Sequence, residues 1–283
     1  MPEGPSSGAP LQVDALTLAY GDRTIVADLT TLIPGGRITA IVGPNACGKS
    51  TLLRSMARLL APRSGAVLLD GDAVHRLKTR DVARRIGLLP QSPITPEGIT
   101  VKELVERGRF PHRKALRPPS REDRDKVAWA LEATGVADLQ DRPVDELSGG
   151  QRQRAWIALA LAQDTGVLLL DEPTTYLDIA HQIEVLDLVH RLNRQDGRTI
   201  ALVLHDLNQA CRYADHLIAL RDGRLHAAGP PAEVVDAALV QDVFGVAVTV
   251  MEDPVCGVPM TVPLGLPGGG VAPAKALSTP RGD

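Results

Sequence analysis

The sequence has few aromatic residues, few cysteines and no long apolar run. Only 2% of its 283 residues are aromatic, and its three cysteines, Cys47, Cys211 and Cys256, are widely spaced. We therefore expect a core of Leu, Val, Ile and Ala and no disulfide framework. The apolar runs at 167–170 and 200–204 are far shorter than the roughly 20 residues that a membrane span needs. The sequence thus predicts neither a disulfide-stabilised protein nor an integral membrane protein.

No excess of charge of either sign is present. The chain carries 31 basic and 34 acidic residues, a formal net charge of −3, which does not favour nucleic acid as a partner. The first ten residues, MPEGPSSGAP, lack the basic and apolar stretches of a secretory signal. From these absences we expect a cytosolic protein.

Strand-like and helix-like patterns alternate along most of the chain. Short apolar or alternating segments indicate strands, and apolar residues at helical spacing indicate helices. Asp222 and Gly223 lie between two apolar runs, which predicts a hairpin. This alternation favours an α/β fold with a largely parallel sheet and ligands at the carboxyl ends of its strands. The predicted strands are 13–19, 37–42, 66–69, 87–89, 167–170 and 200–204, and the principal helices are 49–60 and 179–192.

The region from 91 to 164 differs, because it has helix signals and almost no strand signals. Ser120 is a predicted N-cap of a helix that closes at Gly135. The Pro- and Arg-rich stretch 109–119 is predicted to be an exposed loop. Residues 1–10 and the low-complexity tail from about Pro263 are predicted to be disordered.

A glycine-rich loop carries the sharpest chemical signal. Residues 43–51, GPNACGKST, match G-x-x-x-x-G-K-[ST] with a predicted strand before and a helix after. In such a phosphate-binding loop (P-loop), backbone N–H groups converge on phosphates, the lysine adds charge, and the hydroxyl ligates Mg²⁺. The predicted nucleotide-binding residues are Gly43, Pro44, Asn45, Ala46, Cys47, Gly48, Lys49, Ser50 and Thr51.

Two carboxylates follow the apolar run 167–170. A buried strand would deliver Asp171 to the carboxyl edge of the sheet, where it can hold Mg²⁺ through water. Glu172 would then lie nearer the γ-phosphate and could polarise an attacking water. By itself, an Asp-Glu-Pro sequence is also common where a strand simply ends in a turn. Together with the P-loop, the catalytic interpretation is favoured.

The segment 147–154, LSGGQRQR, contains an unusual helix start. Ser148 and Gln151 predict a capping box, which explains the serine and the glutamine. It does not explain Gly149 and Gly150, since an interior glycine costs a helix roughly 1 kcal/mol. Two bare residues at a helix start suit a phosphate that must approach the backbone.

LSGGQRQR resembles the signature of the ATP-binding-cassette (ABC) ATPases, and the resemblance covers about residues 11–250. Tyr20, Gln91, Asp178 and His205 follow in the family's order. The resemblance implies that Tyr20 stacks on adenine, Gln91 senses Mg²⁺ and water, and His205 contacts the γ-phosphate. It places Asp178 in the loop that communicates between two sites. Taken singly, Tyr20 could be a packing residue and His205 a structural histidine.

The resemblance implies an α/β fold built as a P-loop ABC ATPase core with a mixed, mainly parallel sheet. An N-terminal antiparallel β subdomain and a helical subdomain inserted at about 92–163 complete an ATPase domain over 11–250, followed by a C-terminal extension over 251–283. ATP and Mg²⁺ are the implied cofactors. The implied Mg²⁺ ligands are Ser50, Gln91 and Asp171, and the implied catalytic residues are Glu172, His205 and Gln91.

The implied assembly is a homodimer that sandwiches two ATP molecules head to tail. The P-loop of one chain would face the signature of the other, formed by Ser148, Gly149, Gly150 and Gln151. Separate membrane permease subunits would dock between Gln91 and His112, with a periplasmic or lipoprotein substrate-binding protein as an indirect partner. The implied location is the cytoplasmic face of the membrane, bound peripherally, with no nucleic acid.

Two classes of ABC protein compete for this sequence. ABC ATPases that act on ribosomes or DNA usually carry two cassettes or a long coiled coil, whereas this chain has one cassette, no heptads and no basic patch. A transporter motor is therefore favoured. The stretches GRFPH at 108–112, PTTYLDIAH at 173–181 and LHDLNQA at 204–210 resemble the ATPase subunits of iron–siderophore importers. Haem and cobalamin importers are the nearest alternatives.

One position departs from the family's pattern. Ala46 stands where the family usually has glycine in its P-loop. If the backbone there needs a positive φ, alanine costs roughly 1 kcal/mol or more of strain. If φ is negative, alanine is harmless. In either case the intact Gly48 and Lys49 predict a competent loop.

Overall fold

A computed structural model describes residues 8–113 and 118–265 of the chain. Twelve strands lie in these residues and form three sheets. The strands are β1 (Leu11–Tyr20), β2 (Arg23–Ile33), β3 (Ile38–Val42), β4 (Ser64–Leu69), β5 (Asp72–Ala73), β6 (Ile86–Leu89), β7 (Val167–Leu170), β8 (Thr199–Val203), β9 (His216–Arg221), β10 (Arg224–Gly229), β11 (Ala247–Glu252) and β12 (Pro259–Gly265).

The helices lie around the sheets and between the strands. They are α1 (Lys49–Met56), α2 (Thr79–Ala83), α3 (Val101–Glu106), α4 (Arg121–Ala133), α5 (Gly149–Ala162), α6 (Ile179–Asp196), α7 (Leu207–Tyr213), α8 (Pro231–Val234) and α9 (Ala237–Phe244). None of the helices in the described ranges has the length and apolar character to cross a membrane.

The central sheet has the strand order β10-β9-β3-β8-β7-β6. Its strands run parallel except β10, which forms the predicted hairpin with β9. Every residue of β3, β7 and β8 is buried, as expected for parallel strands covered on both faces. The carboxyl ends of β3, β6, β7 and β8 meet at one edge of this sheet. The predicted α/β core is therefore confirmed.

A second sheet, of order β2-β1-β4-β5, is antiparallel and contains the N-terminal strands. It confirms the antiparallel β part of the fold. It packs with α1 against one face of the central sheet, where Ile41, Val167 and Val203 lie. The long strand β2 was not predicted from the pattern, because a register shift breaks its alternation. Asp28 has φ +49°, so the buried positions Val26 and Leu29 are three apart.

The other face of the central sheet packs against helices, including the predicted helical region. α3, α4 and α5 contact one another there. Ser120 is the N-cap of α4 as predicted, in a capping box with Asp123. The expectation of an exposed loop is wrong for Arg109, which is only 2% exposed. Its guanidinium donates to Asp123 Oδ1 and to the carbonyl of Ala162, both at 2.9 Å, and these bonds offset its burial.

Both ends of the described chain are more ordered than predicted. The N–H of Gly8 donates to the carbonyl of Gly197 at 3.0 Å, and the Thr199 hydroxyl donates to the carbonyl of Ala9 at 3.0 Å. At the other end, β12 continues past Pro263 to Gly265, and a domain boundary at residue 250 would divide β11. Strand pairing between β11 and β12 explains this order. Residues 1–7, 114–117 and 266–283, which include most of the predicted tail, lie outside the described residues.

Candidate functional site

The loop between β3 and α1 wraps around the side chain of Lys49. Its ammonium is buried and donates to the carbonyls of Gly43 and Pro44, both at 2.8 Å. Glycine is required at position 43, because φ is +147° and a Cβ there would lie 2.2 Å from the carbonyl oxygen of Leu220. At Gly48, immediately before α1, φ is +104°. The loop therefore exposes backbone at the start of a helix, which is the arrangement that binds anions.

An open cavity of about 260 Å³ lies in front of this loop. The P-loop, the first residues of β2 and the residue after Asp171 surround it. It is lined by Arg23, Ile25, Asn45, Ala46, Gly48, Lys49, Ser50, Thr51 and Glu172. Tyr20 lies at its rim rather than in its lining, since it pairs with Arg23 across the β1–β2 turn. The Tyr20 ring is 46% exposed.

Ser50, which lines this cavity, is brought together with the buried Asp171. The Ser50 hydroxyl donates to Asp171 Oδ1 at 2.8 Å, and Asp171 is 2% exposed. Burial is the main cause of a raised pKa at Asp171, and the neighbouring charge of Glu172 adds to it, against the hydrogen bond from Ser50. A buried carboxylate beside a hydroxyl is a set of hard oxygen donors, which fits Mg²⁺.

Glu172 is held by three side chains, all at one oxygen. Its Oε2 accepts from Gln91 Nε2 at 2.6 Å and from the Thr175 hydroxyl at 3.0 Å, and His205 Nε2 lies 2.8 Å from it. Burial acts to raise the pKa of Glu172, but the bonds from His205, Thr175 and Gln91 together with the His205 charge outweigh it, so the pKa is lowered. Glu172 therefore stays ionised at neutral pH, and no side chain within residues 8–113 and 118–265 donates to its Oε1.

The predicted residues Gln91, Glu172 and His205 thus meet at the carboxyl edge of the central sheet. Gln91 directs its amide nitrogen to Glu172, whereas the resemblance made it a Mg²⁺ ligand with Ser50 and Asp171. Thr175, which comes three residues after Glu172, also bonds to it and was not predicted from the sequence. Thr175 ends the segment 171–175, DEPTT, but a single threonine in a sequence gives little indication of a functional role.

Ala46 has φ +63°, in the left-handed region. Because φ is positive, the backbone of Ala46 is strained, at a cost of roughly 1 kcal/mol. Ala46 is exposed, so glycine at this position would lose little packing.

We expect Ala46→Gly to raise the melting temperature by roughly 2–4 °C in thermal unfolding, because about 1 kcal/mol of strain is relieved. Ala57→Gly is the control, since Ala57 is the C-cap that follows α1 and has a negative φ of −79°. That control should lower the melting temperature slightly. Equal shifts in the two variants would contradict strain at Ala46.

The predicted capping box at the start of α5 is confirmed. The N–H of Gln151 donates to Ser148 Oγ at 3.3 Å, and the N–H of Ser148 donates to Gln151 Oε1 at 3.1 Å. Ser148 and Gly149 are exposed. None of residues 148–151 is among the residues that line the cavity. Within one chain, the structure therefore does not bring the glycine pair to the P-loop.

Asp178 is the N-cap of α6. Its Oδ1 accepts from the backbone N–H of His181 at 2.9 Å and lies 2.6 Å from His181 Nδ1. The bond from the His181 backbone is the largest of several that lower the pKa of Asp178. Beside it, Tyr176 and Ile179 are 93% and 78% exposed. Tyr176 lies in the loop before α6, and Ile179 is the first residue of that helix.

Several known proteins are similar to this chain over most of its length. Residues 26–175 match a protein family described as "ABC transporter". The chain is 55% identical, over 259 residues, to the ferric enterobactin transport ATP-binding protein FepC of Escherichia coli, covering 92% of this chain and 96% of that protein. It is 54% identical to the probable siderophore transport system ATP-binding protein YusV of Bacillus subtilis, covering 90% and 93%.

A cobalamin import ATP-binding protein, BtuD of Halobacterium salinarum, is 41% identical over 90% of this chain and 63% of that protein. Among solved structures, a dimeric ABC transporter cassette, MJ0796, matches with a TM-score of 0.70 and 29% identity. That match covers 78% of this chain and 98% of the cassette.

Proposed function

Because the chain belongs to the ABC transporter family of ATPases, we propose that it is the ATP-hydrolysing subunit of an importer whose cargo is an iron–siderophore complex. One observation carries the ATPase activity: Lys49, Ser50 and Glu172 line a single cavity, and Ser50 bonds to the buried carboxylate of Asp171. The cargo is supported by the identities of 55% and 54% to the two siderophore-system proteins, against 41% to the cobalamin protein.

We propose that the P-loop binds the phosphates of ATP. The Lys49 ammonium has three N–H donors, and carbonyls of the loop accept two of them. The third can bind a phosphate oxygen without opening the loop, and its charge favours the anion. Tyr20, exposed at the rim, would cover the adenine.

Ser50 and Asp171 would hold Mg²⁺ through their oxygen atoms. When bound, the ion neutralises charge on the phosphates. The raised pKa of Asp171 has burial as its main cause, and a cation beside this carboxylate would favour its ionised form. Gln91 would join Ser50 and Asp171 as a Mg²⁺ ligand only if its side chain turned away from Glu172.

We propose that Glu172 orients and polarises the attacking water. Its Oε2 is occupied by three partners, so its Oε1 is the oxygen that would accept a hydrogen bond from water. His205 would steady the γ-phosphate from its place beside Glu172. Phosphoryl transfer depends mainly on such positioning and on charge neutralisation.

A second copy of the chain would complete the site. Ser148 and Gly149 lie outside the cavity of their own chain, and the apolar side chains of Tyr176 and Ile179 are exposed nearby. A two-fold arrangement would bring Ser148, Gly149, Gly150 and Gln151 to the partner's P-loop. The dimeric cassette MJ0796 supports this assembly.

Membrane permease subunits would supply the path for the cargo, with the ATPase bound peripherally on the cytoplasmic side. We propose docking between Gln91 and His112, where Ile94 and Phe110 are exposed. A substrate-binding protein would act on the permease and not on this chain. The proposed ATPase domain begins at residue 11, includes the helical part at about 92–163, and is followed by a C-terminal extension.

Deleting the gene and measuring uptake of labelled cargo tests the proposal. We expect loss of iron–siderophore uptake, unchanged haem and cobalamin uptake, and recovery with the wild-type chain but not with its Glu172→Gln variant. Loss of haem or cobalamin uptake instead would overturn the cargo. Unchanged uptake of all three, together with tight ribosome or RNA binding at physiological salt, would favour the non-transport alternative.

A further inference from the structure

The imidazole of His181 lies directly against Gly150 at the start of α5. A Cβ built on Gly150 would be 2.4 Å from His181 Cδ2 and 3.0 Å from Nε2. The first of these separations is far below van der Waals contact, so no residue larger than glycine fits while the ring stays in place. A Cβ on Gly149 would meet only Leu177 Cδ2, at 4.0 Å. Packing inside the chain therefore explains why residue 150 is glycine, whereas it does not explain the glycine at position 149.

The same imidazole is fixed on its other side by Asp178. One carboxylate oxygen accepts from the His181 backbone at 2.9 Å and lies 2.6 Å from Nδ1. These contacts leave the ring little freedom to turn. One edge of the ring is thus held by the loop before α6, and its Cδ2–Nε2 side is pressed against α5.

One further contact joins the same two helices, and another joins α6 to the loop before it. Arg154 Nη1 donates to Glu184 Oε2 at 3.0 Å, one turn along each helix from the ring. The Gln182 side chain donates to the carbonyl of Leu177 at 2.9 Å, which holds the loop to α6. His181 is thus the contact nearest to the helix start that bears the glycine pair.

We propose that His181 is a positioning residue that locks the start of α5 to the loop 174–178, so that both meet the partner subunit's phosphates as one rigid unit. This inference rests on the proposed function. A helix that begins with two glycines has a flexible first turn, whereas donors that stabilise a transition state must be held in place beforehand. The flat ring supplies that rigidity, and Asp178 sets its orientation.

A double-mutant cycle tests the contact in the full-length dimer, with ATP turnover as the readout. His181→Ala should lower kcat about tenfold or more, because the donors at the α5 start lose their alignment. The KM for ATP should change less than about twofold, since the ring does not touch the P-loop. Gly150→Ala should lower kcat at least as much, because its Cβ meets the ring.

In the His181→Ala background, Gly150→Ala should cost at least about fivefold less than it does in the wild type. His190→Ala is the matched control, on the same helix and away from α5, and should leave kcat unchanged. The melting temperature of each variant separates a folding defect from a loss of positioning.

Additive effects of the two substitutions, or an unchanged kcat in His181→Ala, would overturn the inference. Those outcomes leave the proposed function intact as long as the wild-type dimer hydrolyses ATP. If the wild type hydrolyses no ATP, the proposed function itself fails.

Discussion

Replacing Glu172 with glutamine should lower ATP turnover by at least about a hundredfold, which is the usual contribution of a general acid or base. Glutamine has the shape of glutamate but lacks the negative charge that polarises water. ATP should still bind, because the P-loop and the Ser50–Asp171 pair are unchanged. With binding intact and hydrolysis blocked, the ATP-bound dimer should accumulate. Phosphate release and size-exclusion chromatography with ATP measure the two effects.

Glu132→Gln is the control for this substitution, because Glu132 is an exposed residue of α4 far along the chain from the site. It should leave turnover and dimerisation as in the wild type. Undiminished hydrolysis by Glu172→Gln would remove Glu172 from the catalytic role. A variant that no longer binds ATP would instead show that the carboxylate supports the loop.

Replacing Lys49 with alanine should weaken ATP binding by about a hundredfold, since hydrogen bonds to charged groups contribute about 1.5–3 kcal/mol each. Two losses combine in this variant. The phosphates lose a cation, and the carbonyls of Gly43 and Pro44 lose the buried donor that holds the loop closed. Titration with a fluorescent ATP analogue gives the Kd directly.

Lys102→Ala is the matched control, because Lys102 is exposed on α3. Its Kd for ATP should equal that of the wild type. An unchanged Kd in Lys49→Ala would contradict phosphate binding by this loop. Glu172→Gln should hydrolyse ATP slowly even when ATP is saturating. Lys49→Ala should instead have a lower affinity for ATP, so the two variants differ in their kinetics.

Much of the fold follows from short-range patterns, and the comparisons confirm the resemblance to ABC ATPases. The predicted strand 167–170 matches β7 residue for residue, because a run of buried apolar residues ending in charged ones has few other interpretations. The caps Ser120 and Ser148 were predicted because a cap needs only residues three positions apart.

Local sequence patterns did not predict the elements that are held in place by residues far away in the sequence. Strand β12 packs on α7, where the Asn208 side chain bonds to the N–H, hydroxyl and carbonyl of Thr261. The predicted disordered tail begins at about Pro263, two residues after Thr261, and no local pattern in the sequence indicates that contact. Arg109 was placed on the surface for the same reason, since its partner Asp123 lies on another helix.

The sequence by itself determined which chemistry is available: a phosphate loop, a buried strand ending in two carboxylates and a capped helix start, each written in fewer than ten consecutive residues. Only the tertiary structure decided how those parts combine. Gln91 and Glu172 are 81 positions apart and meet because β6 and β7 are neighbours, and Gly150 meets His181 because the first turn of α5 lies against the first turn of α6. The physical reason is that local patterns record backbone preference and burial, whereas the order of strands in a sheet sets which distant side chains share one edge.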